Sequence, residues 1–318
     1  MRIILPSGTP AEIHRVEGSS RGLVVLPDIF GLRPLFDDLV RQLAQDWGMT
    51  TIAVEPFPGH VFGTDANERF AQVSSLSDVD KMRDLMEAAD ATQCSSVAMI
   101  GFCMGGMYCH KAVQTHRFSK IVSFYGMIRL PEAWRSDCQS EPLECLVAGD
   151  ASSVLAIIGD KDTWTPPDDV QALVASGVRV QRYADGEHGF AHDVARPAHR
   201  VADAADAFRN ISFDVAYIGA CTGAKYVDLA AAAEVLKGRR IAKNVTLKVA
   251  PASLRDQNRA AQDGIMQILQ DAGAEFLANS CGICAGYGED RLAENQVCLS
   301  STARNFKGRM GAPSSQVY

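Results

Sequence analysis

Long apolar runs are missing from this sequence. None approaches the roughly 18 residues that a membrane-spanning helix requires, and the start, Met1-Arg2-Ile3-Ile4-Leu5-Pro6, lacks the extended apolar core of a signal peptide. No internal repeat, low-complexity tract or Gly/Pro/Ser-rich tether interrupts the chain. A surplus of cations is missing too: the net charge is -7. Residues 1–210 hold 19 Lys and Arg against 28 Asp and Glu, and residues 211–318 hold 12 against 10. Neither segment has the basic surface of a nucleic-acid binder. These absences argue against membrane and nucleic-acid partners, and the expected location is the cytoplasm. There the nine cysteines read as thiols, ligands or nucleophiles, and their odd number argues against a full disulfide set. A length of 318 residues implies two domains or one large one.

What is present is organised around Gly101-Phe102-Cys103-Met104-Gly105-Gly106. The β-forming run Ser96–Ile100 precedes it and a helical pattern follows to about Thr115. This is the strand–turn–helix setting of a nucleophile elbow, with Cys in place of Ser. Its glycines permit a turn too sharp for side chains, and the Met104 N–H at the helix start would face a developing oxyanion. Taken alone, the hexapeptide fits equally a buried Cys in an ordinary strand–helix turn.

The surrounding pattern decides between them. Strands are predicted at 22–26, 51–54, 96–100, 120–124, 154–158 and 178–183. Helices are predicted at 34–47, 78–91, 106–115, 167–175 and 198–209. This alternation predicts a doubly wound α/β sheet whose strands present chemistry at their carboxyl ends. Cys103 follows the third strand, Asp160 and Asp162 the fifth, and His188 the sixth. Nucleophile, acid, histidine is the chain order of α/β-hydrolases. His188 would take the proton of Cys103, and a carboxylate would fix the imidazole's tautomer. Asp162 is chosen over Asp160 because it opens the loop, whereas Asp160 directly follows the strand. After the first strand, Pro27-Asp28-Ile29-Phe30-Gly31 supplies the Ile29 N–H as second oxyanion donor. Asp28 would lie near the nucleophile, or serve as a turn acid.

Pro27-Asp28-Ile29-Phe30-Gly31, Gly101-Phe102-Cys103-Met104-Gly105-Gly106, Gly159–Asp162 and Glu187-His188-Gly189-Phe190 resemble the dienelactone hydrolase family, a resemblance that covers residues 1 to about 208. The resemblance implies a Cys-His-Asp hydrolase of small-molecule esters or lactones, without a cofactor. It also implies an acid that contacts the resting Cys and gates its activation. Well-known members have Glu there, where this chain has Asp28, and an Arg for the substrate carboxylate where this chain has His192. Arg69 is a further candidate for substrate binding.

Residues 211–318 begin a second alternation. Strands are predicted at 215–219, 244–250 and 275–277, with helices at 226–236 and 254–272. Cys221 follows the first strand, and Cys281 and Cys284 follow the third. Structural zinc usually takes four ligands, whereas a cubane cluster can take three thiolates and leave one iron open. Ile218–Gly223, Asn279–Cys284 and Ser301–Arg309 resemble the third domain of the aconitase and isopropylmalate dehydratase superfamily. Gly223 stands where Asn is common. The resemblance implies that Cys221, Cys281 and Cys284 hold a 4Fe-4S cluster and that Arg304 and Arg309 bind hydroxy-acid carboxylates. The superfamily's other domains, with their catalytic groups, have no counterpart here. The expectation is therefore a smaller α/β aconitase-like domain, joined by gene fusion or a truncated reading frame. Two rival functions follow: a hydro-lyase subunit completed by complementing dehydratase subunits, and a non-catalytic iron–sulfur redox module.

Overall fold

The computed structural model describes residues 1–63, 65–241, 245–294 and 296–318 apart from 211–213. Ile211 and Ser212 of the expected junction, and Asn244 of an expected strand, lie outside the described residues. The chain divides into two compact units, Met1–Ala207 and Phe208–Tyr318.

In the first unit, a sequence of short apolar strands and amphipathic helices builds one eight-stranded sheet. In chain order its elements are β1 (Arg2–Ile4), β2 (Pro10–His14), β3 (Arg21–Leu26), α1 (Pro34–Trp47), β4 (Thr50–Val54), α2 (Ala66–Gln72), α3 (Asp78–Ala91) and β5 (Ser96–Phe102). There follow α4 (Met104–Ala112), β6 (Ile121–Phe124), α5 (Pro142–Ala148), β7 (Val154–Gly159), α6 (Pro167–Ala175), β8 (Arg179–Tyr183) and α7 (Val201–Asn210). The strand order is β1-β2-β4-β3-β5-β6-β7-β8. From β4 to β8 all neighbours are parallel, and β1 and β2 add an antiparallel edge. The central strands are apolar on both faces, as strands covered by helices on both sides must be: all but the first residue of β3 is buried. Helix α1 turns Phe36, Val40, Leu43 and Ala44 inward, a helical stripe. Helix α4 is buried along its whole length.

The second unit carries β9 (Val215–Ile218), α8 (Ala220–Gly223), α9 (Tyr226–Leu236), β10 (Thr246–Val249), α10 (Leu254–Gln262), α11 (Ile265–Ala272), β11 (Ala274–Phe276), β12 (Val297–Ser300) and β13 (Gln316–Val317). Its parallel sheet runs β11-β10-β9-β12-β13. Along β9 the pleat sends Val215 and Tyr217 into one apolar cluster, with Cys298 and Met310. Ala216 and Ile218 pack against another, built on Leu229, Leu247 and Leu269. The single helix expected at 254–272 is two, because Gly264 takes φ 73° and breaks the chain's helical path. Among the described residues no helix is long and apolar enough to cross a membrane.

Candidate active site

Strand β5 delivers Cys103 at φ 57°, ψ -119°, a conformation that non-glycine residues seldom take. The turn is held by bonds on both sides: the Cys103 N–H donates to the Phe124 carbonyl at 3.0 Å, and the Cys103 carbonyl accepts from the Met107 N–H at 3.0 Å. Two flanking glycines are required by space. A Cβ on Gly101 would sit 2.2 Å from the Gly105 carbonyl oxygen, and one on Gly105 would sit 2.2 Å from that of Leu26. The backbone packing of β3, β5 and α4 is what raises the sulfur at the sheet edge. Met104 is the first residue of α4, and both it and Ile29 are buried. Among the described residues neither of their N–H groups has a hydrogen-bond acceptor.

His188, past β8, brings its Nδ1 to 2.9 Å from Asp162 Oδ2. The other oxygen of Asp162 accepts from the Trp164 N–H at 2.8 Å, so the carboxylate is fixed from two sides. Asp160 turns away and accepts from Arg182 Nε at 2.6 Å. With Nδ1 engaged, Nε2 of His188 is left for Cys103, which lines the same cavity. Burial disfavours an imidazolium there, but the charge of Cys103 and the hydrogen bonds with Asp162 and Cys103 push His188 up to about 10.

Asp28 lines the cavity together with Cys103, and other groups are bonded to both its oxygens. Arg33 reaches them in a fork, Nη1 to Oδ1 at 2.7 Å and Nη2 to Oδ2 at 3.0 Å. The Phe30 N–H donates to Oδ1 at 3.0 Å, and His192 Nε2 lies 2.8 Å from Oδ2. Burial alone would raise Asp28, yet the hydrogen bonds from His192 and Arg33 hold it well below the usual carboxylate range. Burial lowers His192, against its bond with Asp28. A neutral imidazole donating from Nε2 must accept at Nδ1, and that is where the Tyr125 hydroxyl lies. Burial raises the Tyr125 phenol well above its ordinary range, so it stays protonated and donates.

His192 was also expected to bind substrate. It is fully buried on Asp28 and Tyr125, with its ring 4.8 Å from that of Phe102, and does not line the cavity. Arg69 does not line it either. Its guanidinium lies 4.6 Å from the Phe62 ring, with Nη1 3.5 Å from the Ile29 carbonyl. Among the described residues, the cation that does line the cavity is Arg196, eight positions past His188. Its place in an irregular Gly- and Pro-containing segment gives it no periodic signal in the sequence. The cavity holds about 190 Å³ beside Cys103 and His188.

In the second unit, Cys221 lies on α8, Cys284 within a single turn at Ile283–Ala285, and Cys281 two residues before that turn. Burial raises the Cys284 thiol, reinforced by Cys281 and Cys221 and opposed by Arg309. The three cysteines and Arg309 therefore share one end of the sheet. They do not converge into a ligand set: no three His, Cys, Asp or Glu among the described residues are placed to hold a metal ion. Cys284 Sγ instead faces the Cys281 carbonyl at 3.2 Å, while Cys221 and Cys281 are exposed. Three thiols are the donor chemistry of a cubane, and the structure does not group them as a ligand set. Arg309 is half-buried over Phe306 with its Nε lacking a partner, and Arg304 is exposed.

An elbow cysteine, a histidine and an acid at three strand ends of a doubly wound sheet define the α/β-hydrolase class. Comparison with known proteins narrows it. The model of the dienelactone hydrolase family matches residues 10–213, and the chain belongs to that family. The model of the aconitase family (aconitate hydratase) matches residues 164–318. The two matches overlap over 164–213, where β8 and most of α7 belong to the first unit. A putative dienelactone hydrolase from Klebsiella pneumoniae aligns with a TM-score of 0.58 at 26% identity, over 66% of this chain and 95% of that one. A dienelactone hydrolase-like promiscuous phosphotriesterase from metagenomic libraries aligns at 0.53 and 23% over 66% of this chain and 94% of that one, a likeness of fold alone. The 3-isopropylmalate dehydratase large subunit of Herpetosiphon aurantiacus is 47% identical over 37% of this chain and 28% of its own length. The homoaconitase large subunit of Thermus thermophilus is 47% identical over 33% and 25%. The chain thus spans under a third of those two relatives.

Proposed function

We propose that residues 1–210 hydrolyse small esters or lactones through a Cys103 thioester. The observation that carries this is His188, bonded to Asp162 and facing Cys103 at the cavity. His188 Nε2 holds the proton of Cys103. The sulfur attacks the acyl carbon, a C–S bond forms, and the carbonyl π electrons move to oxygen. The Ile29 and Met104 N–H groups, aimed at that oxyanion, stabilise it more than the planar ground state. Its collapse breaks the acyl C–O bond, and His188 passes the proton to the departing oxygen. Water then attacks the thioester, giving its proton to His188, and the acid leaves as the thiolate re-forms. Asp162 keeps the imidazole oriented and balances its charge throughout. Arg196 is the cavity's group for a polar or anionic substituent. Cys103→Ala should abolish the acyl-enzyme seen by intact mass and lower kcat by on the order of 10³-fold or more. Near-wild-type turnover of an ester and lactone panel would remove the assignment.

A second reading concerns residues 211–318. The chain's 47% identity, over 118 residues, to a 3-isopropylmalate dehydratase large subunit supports a role for them as part of a hydro-lyase, completed by complementing subunits. Anaerobic iron–sulfide reconstitution followed by an isopropylmalate assay, with and without an added dehydratase small subunit, tests it. We expect no dehydration by this chain alone, because its match covers only 28% of that large subunit.

A further inference from the structure

Three aromatic rings share the cavity wall with His188. Phe70 comes from α2, Trp134 from a short turn at Glu132–Trp134, and Trp164 from the loop after β7. Their centroids are 5.8–5.9 Å apart and their planes lie within 23–26° of one another. Two of the chain's three tryptophans are spent here. Trp134 is buried, whereas Trp164 remains 38% exposed although it lies beside the catalytic pair. Neither ring has a role in the acyl-transfer steps above.

The position of the wall says which part of a substrate meets it. His188 must reach the departing oxygen within hydrogen-bond distance, about 3 Å. The Trp164 ring centroid is 6.1 Å from that of His188. A group carried on the departing oxygen is therefore laid against the Trp164, Trp134 and Phe70 cluster. We infer that this wall is a binding site for the alcohol side of the substrate and takes a single aromatic ring, making arylmethyl and aryl esters the preferred substrates. This rests on the hydrolase reading. Size agrees: benzene fills an apolar protein cavity of about 150 Å³, and this one holds about 190 Å³. The other ligand that aromatic clusters recognise is an organic cation. Arg196 lines the same cavity and repels a cation, and rings this near to parallel do not enclose one.

Benzyl acetate and cyclohexylmethyl acetate separate ring stacking from size and leaving-group basicity, and acetylcholine supplies the cationic alternative. The wild-type chain should favour benzyl acetate over cyclohexylmethyl acetate by about tenfold in kcat/KM, with acetylcholine poorest. Trp164→Leu and Trp134→Leu should bring the first ratio towards one. The same pair of groups, as free benzyl alcohol and cyclohexylmethanol, can be titrated onto Cys103→Ala by tryptophan fluorescence, which needs no turnover and no tryptophan variant. Tighter binding of benzyl alcohol is expected. Equal binding, a wild-type ratio near one, or a preference for acetylcholine would overturn the aromatic site. Selective binding of benzyl alcohol without turnover of any ester would leave the site standing and remove the hydrolase reading alone.

Discussion

At the scale of single residues, two carboxylates two positions apart meet opposite fates. Asp162 reaches His188 and Asp160 reaches Arg182. Asp162→Asn should lower ester kcat by about 10²–10⁴-fold, because the imidazole loses its orienting acceptor, while Asp160→Asn should leave turnover near that of the wild type. Steady-state kinetics on one ester distinguishes them. His188 gives a linked prediction. Its folded value of about 10 lies above the ordinary 6.5. The stabilisation from the bound proton is therefore fully present below about 6.5 and disappears as pH rises through about 10. Urea midpoints should fall across that window in the wild type, and less steeply in Asp162→Asn. Position relative to predicted strand ends was enough to nominate Cys103, Asp162 and His188. The partners of Asp28 were not legible, because Arg33 is five residues away and His192 is 164 away, and no periodicity links them.

At the scale of elements, close packing of backbone carries the elbow. Gly105→Ala would drive a Cβ to 2.2 Å from the Leu26 carbonyl, an atom of a central strand that cannot swing aside. We expect a loss of about 1–3 kcal/mol or more in unfolding free energy by urea denaturation, together with lost activity as β3 and the Ile29 N–H shift. Long amphipathic elements read well from sequence: α1 and α3 have the boundaries their apolar spacing predicts. Elements outside the strand–helix alternation did not. Strands β1 and β2, of three and five residues, pair across a Ser7-Gly8 turn with no helix between them. Strands β12 and β13 hold four and two residues. Gly264 was visible in the sequence, but apolar spacing runs on through it and masks the break.

At the scale of the whole chain, two sheets in two compact units predict two unfolding steps rather than one. Calorimetry of the intact chain should resolve them, and a Cys103-directed inhibitor should raise the midpoint of only one. A change in charge balance and a restart of strand–helix alternation mark residue 210 in the sequence, and the structure divides between Ala207 and Phe208. The state of the three cysteines has no such mark. Spacing keeps Cys281 and Cys284 near one turn, but whether a third thiol closes on them depends on how α8 directs Cys221.

The buried group behind the nucleophile has one more effect. Arg33 and Asp28 cancel each other's charge, and His192 and Tyr125 are both neutral. Asp28 is displaced below the neutral range, His192 down, Tyr125 up and Arg33 up, so none of the four changes charge at working pH. They act as electrical insulation for the reacting pair. A kcat/KM profile should then show no inflection from the carboxylate lodged beside them.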